Sequence, residues 1–187
     1  MPPEAAVLRC GWAGTSPEYV AYHDLEWGRE LRGEQEMFER LSLEAFQSGL
    51  SWITILRKRE AFRAAFAHFD PESVAAFTEA DVRRLLGDAA IVRNRAKIEA
   101  TVSNARAAVD LDVPLSDLIW SFAPQPPPPA PQTPADVPAT TPESAALARE
   151  LKRRGFRFVG PTTAYALMQA TGMVNDHVAQ CWVRDRT

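Results

Sequence analysis

Two cysteines and three histidines are the soft-metal donors of this 187-residue chain, and four of the five fall in two short segments. Cys10 stands in RCGW and His23 in AYHD, with twelve residues between them; His177 and Cys181 stand four positions apart in NDHVAQC. Thiolate and imidazole are the usual zinc ligands, and a structural site takes four of them in a tetrahedron. If the last segment is helical, His177 and Cys181 share one face. A closed Cys2His2 set leaves no coordination position for water, so such an ion would be structural. It would tie the two chain ends together in a reducing cell, where a disulfide is unusual. The residues alone leave a second reading open, two buried free thiols with histidines in ordinary hydrogen bonds. His68, in FAHFD, is read as structural or exposed.

The second chemical feature is a carboxylate. In LSLEAFQSGLSW, Glu44 lies on the same helical stripe as Met37, Leu41 and Ser48, so it faces inward. Burial of a carboxylate costs several kcal/mol unless it meets hydrogen-bond donors or positive charge. Trp52 follows closely, and Trp12, Tyr19, Tyr22 and Trp27 cluster around Cys10 and His23. An aromatic box with one carboxylate suits a flat, electron-poor, cationic ring that donates hydrogen bonds. The alternative at this level is that the rings are core packing and Glu44 caps something local.

The elements that must position these residues are helices. Met37, Leu41 and Ala45 recur at helical spacing in residues 34–49, as do Ile55, Phe62 and Phe66 in 52–68, and Ile98, Val102, Ala105 and Val109 in 92–110. Asp70-Pro71, the Thr78 to Asp81 capping box and Thr141-Pro142 set helix starts near 71, 79 and 142. A further helix runs from Pro161 to Thr171, closed by Gly172. No segment alternates with period two, so the fold class is all-α. Residues 123–142, APQPPPPAPQTPADVPATTP, cannot be helical and form a polyproline-like surface loop within a domain.

Hydrophobic residues at 46% and charged residues at 24% are ordinary for a soluble globular domain. No run of about eighteen apolar residues occurs, and the start, MPPEAAVLRC, carries no basic and apolar leader pattern, so the expectation is a cytoplasmic protein with no membrane segment. The net charge of -3 argues against a protein that coats nucleic acid nonspecifically. Two basic groups, Arg83, Arg84, Arg93, Arg95 and Lys97, then Arg149, Lys152, Arg153, Arg154 and Arg157, are either phosphate-tracking patches or solvated helix faces.

In their order, RCGW, YHDLEWG, LEAFQSGLSWITIL, FDPESVAAF, VRNRAKI, RRGFRFVGPTTAYALMQATG and VNDHVAQC resemble the 3-methyladenine DNA glycosylase I family of bacterial alkylation-repair enzymes, across residues 8 to 181. The resemblance implies a helix-hairpin-helix glycosylase fold in a single unit of residues 1–187. Segments 1–30 and 142–187 would form a lobe held by one structural zinc ion on Cys10, His23, His177 and Cys181. Segment 34–122 would be the hairpin-containing core. It implies a base pocket of Trp12, Tyr19, Tyr22, Trp27, Glu44 and Trp52, with Glu44 as the catalytic candidate and no assigned general base. Gly49 and Leu50 would enter the base stack, and Arg93, Arg95 and Lys97 after LLGDAAIV would meet phosphates. The implied partner is double-stranded DNA containing 3-methyladenine, acted on by a monomer that releases free 3-methyladenine and leaves an abasic site. Ala90 and Ala96 stand where related sequences often have glycine, and Pro161 and Ala166 where some have hydroxyl residues. The competing classes are a non-catalytic nucleic-acid binding module and a zinc-stabilised interaction protein working through its proline-rich loop.

Overall fold

The computed structural model describes residues 7–186; residues 1–6, part of the stretch read above for a leader, and residue 187 lie outside them. Nine α-helices run through the described residues, with no strand among them: α1 Pro17–Leu25, α2 Glu34–Gln47, α3 Trp52–Ala65, α4 Pro71–Ala75, α5 Glu79–Gly87, α6 Arg95–Val109, α7 Leu115–Trp120, α8 Pro142–Arg153 and α9 Pro161–Ala170. None is long and apolar enough to cross a membrane.

The starts fall where the capping residues place them. Asp70 accepts the Ser73 N–H at 2.9 Å ahead of α4, and the Asp81 carboxylate accepts the Thr78 N–H at 2.9 Å at the head of α5. Thr141 Oγ1 accepts the Ser144 N–H at 3.1 Å at the head of α8. Each bond satisfies one of the amide groups that a helix start leaves without a carbonyl. The helix expected over 92–110 begins at Arg95, because Asn94 takes the N-cap and its side chain accepts the Lys97 N–H at 3.2 Å.

Helix α2 is the centre of the molecule. The stripe read from its sequence implies one buried face, yet every residue from Met37 to Phe46 except Glu39 is buried, because α3, α6, α7 and α9 all pack against it. On one side an aromatic stack fixes α2 to α3: Phe46 and Phe62 lie 4.6 Å apart, and Phe66 and Phe69 stack at 5.6 Å. After α9, Gly172 turns the chain with φ +77°. A Cβ there would lie 2.7 Å from the Arg29 carbonyl carbon and the Glu30 nitrogen, so only glycine lets the segment beyond α1 pass this close.

The proline-rich segment is a loop, as read, with one 3-10 turn at Pro134–Asp136. It is also packed down. The Asp136 carboxylate accepts the N–H groups of Gln132 and Thr133, Pro131 is buried, and the Pro131 carbonyl accepts the Ala179 N–H at 2.8 Å.

Candidate functional site

Cys10 precedes the short 3-10 turn Gly11–Ala13, and His23 lies in the last turn of α1. His177 and Cys181 come from the segment after α9, and here the helical premise fails. Residues 175–181 contain no helix; a turn in which the Cys181 N–H bonds the Val178 carbonyl at 2.8 Å brings the thiol back to the imidazole. The cause is the left-handed Gly172, which ends α9 before the ligands are reached.

All four side chains are buried and their ligand atoms lie within 4.8 Å of one another. Cys181 Sγ is 3.5 Å from both His23 Nε2 and His177 Nδ1, and Cys10 Sγ is 3.6 Å from His177 Nδ1. A tetrahedral zinc with ordinary bond lengths sets sulfur and nitrogen about 3.6 Å apart, so the donor set fits the ion. The remaining ring nitrogens are also placed. His23 Nδ1 lies 2.7 Å from Asp24 Oδ1 and His177 Nε2 lies 3.2 Å from the Trp27 carbonyl, which fixes each ring with its bare nitrogen toward the sulfurs. Burial tends to raise the Asp24 carboxyl, but the Arg9 guanidinium, bonded at 2.8 Å, and His23 hold it below its ordinary value. Burial also keeps His177 neutral, pushed down to about 4. His68 is exposed and takes no part.

The aromatic residues connect this cluster to a cavity of about 320 Å³. Trp12 lies edge-on to His23 at 5.1 Å and to Trp27 at 4.9 Å, and Trp27 meets His177 at 4.6 Å. Tyr22 meets Trp52 at 5.3 Å. Trp12, Tyr19, Tyr22, Trp27, Glu44 and Trp52, the six residues singled out from sequence, all line the cavity.

Glu44 is 5% exposed, and its carboxylate has no hydrogen-bond partner among the described residues. Burial pushes its carboxyl up to about 7, against the opposing pull of the Arg40 guanidinium one turn earlier. Arg40 itself is engaged, donating to the Tyr22 hydroxyl at 2.7 Å. The buried Trp52 Nε1 also lacks a partner. A carboxylate left unmatched inside an aromatic box can accept hydrogen bonds from a ligand, whereas the indole N–H is closed off from the cavity.

The expectation of one carboxylate needs correction: Asp176 lines the same cavity. Its signal in the sequence is its place directly before His177, in a segment whose candidate metal donors stand out first. Pro134 and Val137 of the proline-rich loop form another part of the wall, so the loop is more than a surface excursion. The loop's place in the wall has no local sequence signature.

Beside the cavity runs a groove that shares Glu44, Gln47 and Ala166 with it and continues to Gly49, Leu50 and Thr162. Gly49 has φ +80° and open space around it, and Leu50 is 40% exposed. The basic candidates divide. Arg93 is exposed with no ion pair among the described residues, while Arg95 is paired with Glu79 and Glu99, both at 3.1 Å. Lys97 is withdrawn from the phosphate-facing set: it is 8% exposed, and its Nζ donates to the carbonyls of Phe46 at 2.9 Å and Ser48 at 2.5 Å. The end of α2 leaves carbonyls without helical partners, and they draw the ammonium inward. Of the substituted positions, Ala90 is exposed with its carbonyl bonded to Lys58 at 2.8 Å, Ala96 is exposed, Pro161 opens α9, and Ala166 faces the cavity.

Fold and cavity together define a helical protein with an aromatic cavity that carries a buried, unmatched carboxylate. The chain belongs to the methyladenine glycosylase family, whose model matches residues 12–185. DNA-3-methyladenine glycosylase 1 of Escherichia coli (strain K12) is 49% identical over 177 residues, covering 92% of this chain and 95% of that protein. A crystal structure of 3-methyladenine DNA glycosylase I superposes with a TM-score of 0.91 at 46% identity, over 94% of this chain and 98% of the other. A structure of the Staphylococcus aureus 3-methyladenine DNA glycosylase I, determined for the basis of 3-methyladenine recognition, gives 0.90 at 33% identity over 94% and 96%.

Proposed function

We propose that this protein is a DNA repair glycosylase that extrudes 3-methyladenine from alkylated duplex DNA and hydrolyses its N-glycosidic bond. The observation that carries this reading is Glu44, a buried carboxylate without a partner in an aromatic cavity of about 320 Å³. Adenine methylated at N3 within DNA is cationic. It stacks well on electron-rich rings such as Trp52 and Trp12, and its edge donates hydrogen bonds that Glu44 accepts. An unmodified base offers no such charge and forfeits that gain.

The chemistry follows from the substrate's charge. As the glycosidic bond breaks, its electron pair returns to the ring and the base leaves neutral. Water adds to the sugar carbon and loses its proton, which yields an abasic site and free 3-methyladenine. No protonation of the leaving base is needed, so the protein's contribution is to extrude, hold and orient. Trp52 and Trp12 stack, Tyr22 and Tyr19 close the box, and Trp27 backs it against the metal cluster. Gly49 and Leu50 fill the space the base vacates, and Arg93 and Arg95 approach the backbone. One zinc ion on Cys10, His23, His177 and Cys181 is structural: it supplies a crosslink between the chain ends, and the aromatic segment depends on it for position. The whole chain acts as a single unit and as a monomer.

Chromatography of bases released from methylated duplex DNA tests the reading. Wild type releases 3-methyladenine and a folded, metal-bearing Glu44→Ala variant does not. Equal release by both would remove Glu44 from the reaction, and no release by wild type would favour a binding module that does not cut.

A further inference from the structure

Asp176 is a second buried carboxylate in the cavity, at 6% exposure, and the function proposed above gives it no work. Its surroundings are asymmetric. Oδ2 accepts two hydrogen bonds from α9, from the Tyr165 hydroxyl at 2.6 Å and from Gln169 Nε2 at 2.8 Å. Oδ1 has no hydrogen-bond partner among the described residues. A carboxylate serving the fold alone brings protein donors to both oxygens, because an unmatched buried acceptor loses its water without replacement. Here one oxygen is fixed by two donors and the other carries no protein partner, in a residue that lines both this cavity and a second one of about 310 Å³ under the proline-rich loop. Gln169, which fixes it, lines the same cavity.

We propose that Asp176 is a second base-reading carboxylate, which with Glu44 selects a purine carrying an exocyclic amino group and rejects one carrying a carbonyl at that position. This rests on the reading of the cavity as the base pocket. An amino group has two hydrogens, and a base that spans the cavity from Glu44 to Asp176 would meet a carboxylate on either side. A carbonyl in its place would face two acceptors with no proton between them, leaving all three groups desolvated and unmatched. Asp176 is thus a specificity-determining residue for adenine over guanine among the N3-methylated bases.

The test is a ratio. Duplex DNA methylated to carry both 3-methyladenine and 3-methylguanine is treated with the full-length wild type, Asp176→Asn and Glu44→Gln, with zinc content and thermal melting recorded for each. The amide of Asp176→Asn keeps an oxygen for Tyr165 and Gln169 and turns an N–H toward the cavity, where it matches a carbonyl. The share of 3-methylguanine relative to 3-methyladenine is expected to rise about tenfold or more, the scale of one mismatched buried hydrogen bond. A residue that only supports the fold would lower both products in proportion, so an unchanged ratio overturns the proposal at any total activity. Tyr165→Phe removes only one donor to Oδ2, so it tests the same point if Asp176→Asn does not fold. Its ratio is expected to rise about threefold, on the same scale, and an unchanged ratio there overturns the proposal equally. If wild type releases neither base, the glycosylase reading falls and Asp176 falls with it. If wild type releases 3-methyladenine while the Asp176→Asn ratio is flat, only the role of Asp176 is lost.

Discussion

Lys97 Nζ lies 2.5 Å from the Ser48 carbonyl oxygen, so a lysine of α6 holds the end of the helix that carries Glu44 and the turn that carries Gly49 and Leu50. The ammonium is buried with no acidic partner among the described residues and donates also to Phe46. Burial lowers its proton affinity, and the carbonyls supply the compensating dipoles. Lys97→Met should therefore leave two carbonyls unmatched and loosen the turn. Chemical denaturation is expected to show a loss of about 1–3 kcal/mol, and excision from duplex DNA should fall while binding of free 3-methyladenine persists. Parallel losses of both functions would show that Lys97 supports the pocket itself rather than the turn.

Glu44 predicts a pH dependence of stability with a definite sign. Its carboxyl is raised from an ordinary 4.5 to about 7 by burial, so between those values the native protein keeps a proton that the unfolded chain releases. Stability is full below about 4.5 and declines as pH rises toward 7. Glu44→Gln removes the titration. Melts at pH 8 should find the variant more stable than wild type by up to about 3 kcal/mol, with the difference fading by pH 4. A pH-independent difference would mean that Glu44 titrates normally.

The same group links pH to ligand. Free 3-methyladenine donates its hydrogen bonds to the ionised carboxylate, so its affinity for wild type should rise as pH increases through about 7 and then level. Each unit below that point costs about tenfold. Tryptophan fluorescence reports the binding, since Trp12, Trp27 and Trp52 all line the cavity. Glu44→Gln should bind more weakly and lose the slope; a slope that survives the substitution would point to another titrating group.

The cluster of Cys10, His23, His177 and Cys181, which could hold a metal ion, predicts a coupled loss. Cys181→Ser, or exhaustive chelation of the wild type, should lower the melting temperature by about 10 °C, given about 2–4 °C per kcal/mol for a chain of this length. Because Trp12 rests on His23 and Trp27 on His177, the affinity for free base should fall as well. Elemental analysis giving no metal in an active, stable protein would contradict the site.

Gly172→Ala tests how the C-terminal segment that carries His177 and Cys181 is admitted. A methyl group there would press on the backbone of Arg29 and Glu30 at 2.7 Å and would also have to accept φ +77°. A destabilisation of about 3 kcal/mol is expected from the combined strain. Calorimetry showing less than about 1 kcal/mol would mean that the neighbouring turn yields.

The sequence by itself determined what local chemistry can determine. Asp70-Pro71, Thr78 to Asp81 and Thr141-Pro142 set their helix starts because a cap is a bargain among residues three or four apart. The scarcity of thiols and imidazoles singled out Cys10, His23, His177 and Cys181, and the period of α2 turned Glu44 inward. Tertiary structure decided the rest. Only the packing of α3, α6, α7 and α9 around α2 buries nearly every residue from Met37 to Phe46, and only its carbonyl-rich end draws Lys97 away from solvent. The irregular path of 175–181 places Asp176 on the cavity wall, and the Pro131 to Ala179 bond draws the proline-rich loop toward the segment that carries His177 and Cys181, with Pro134 and Val137 also on the wall. Burial and cavity walls are sums over segments remote in sequence. No local pattern encodes them, because a residue's environment is set by whichever elements the core brings beside it.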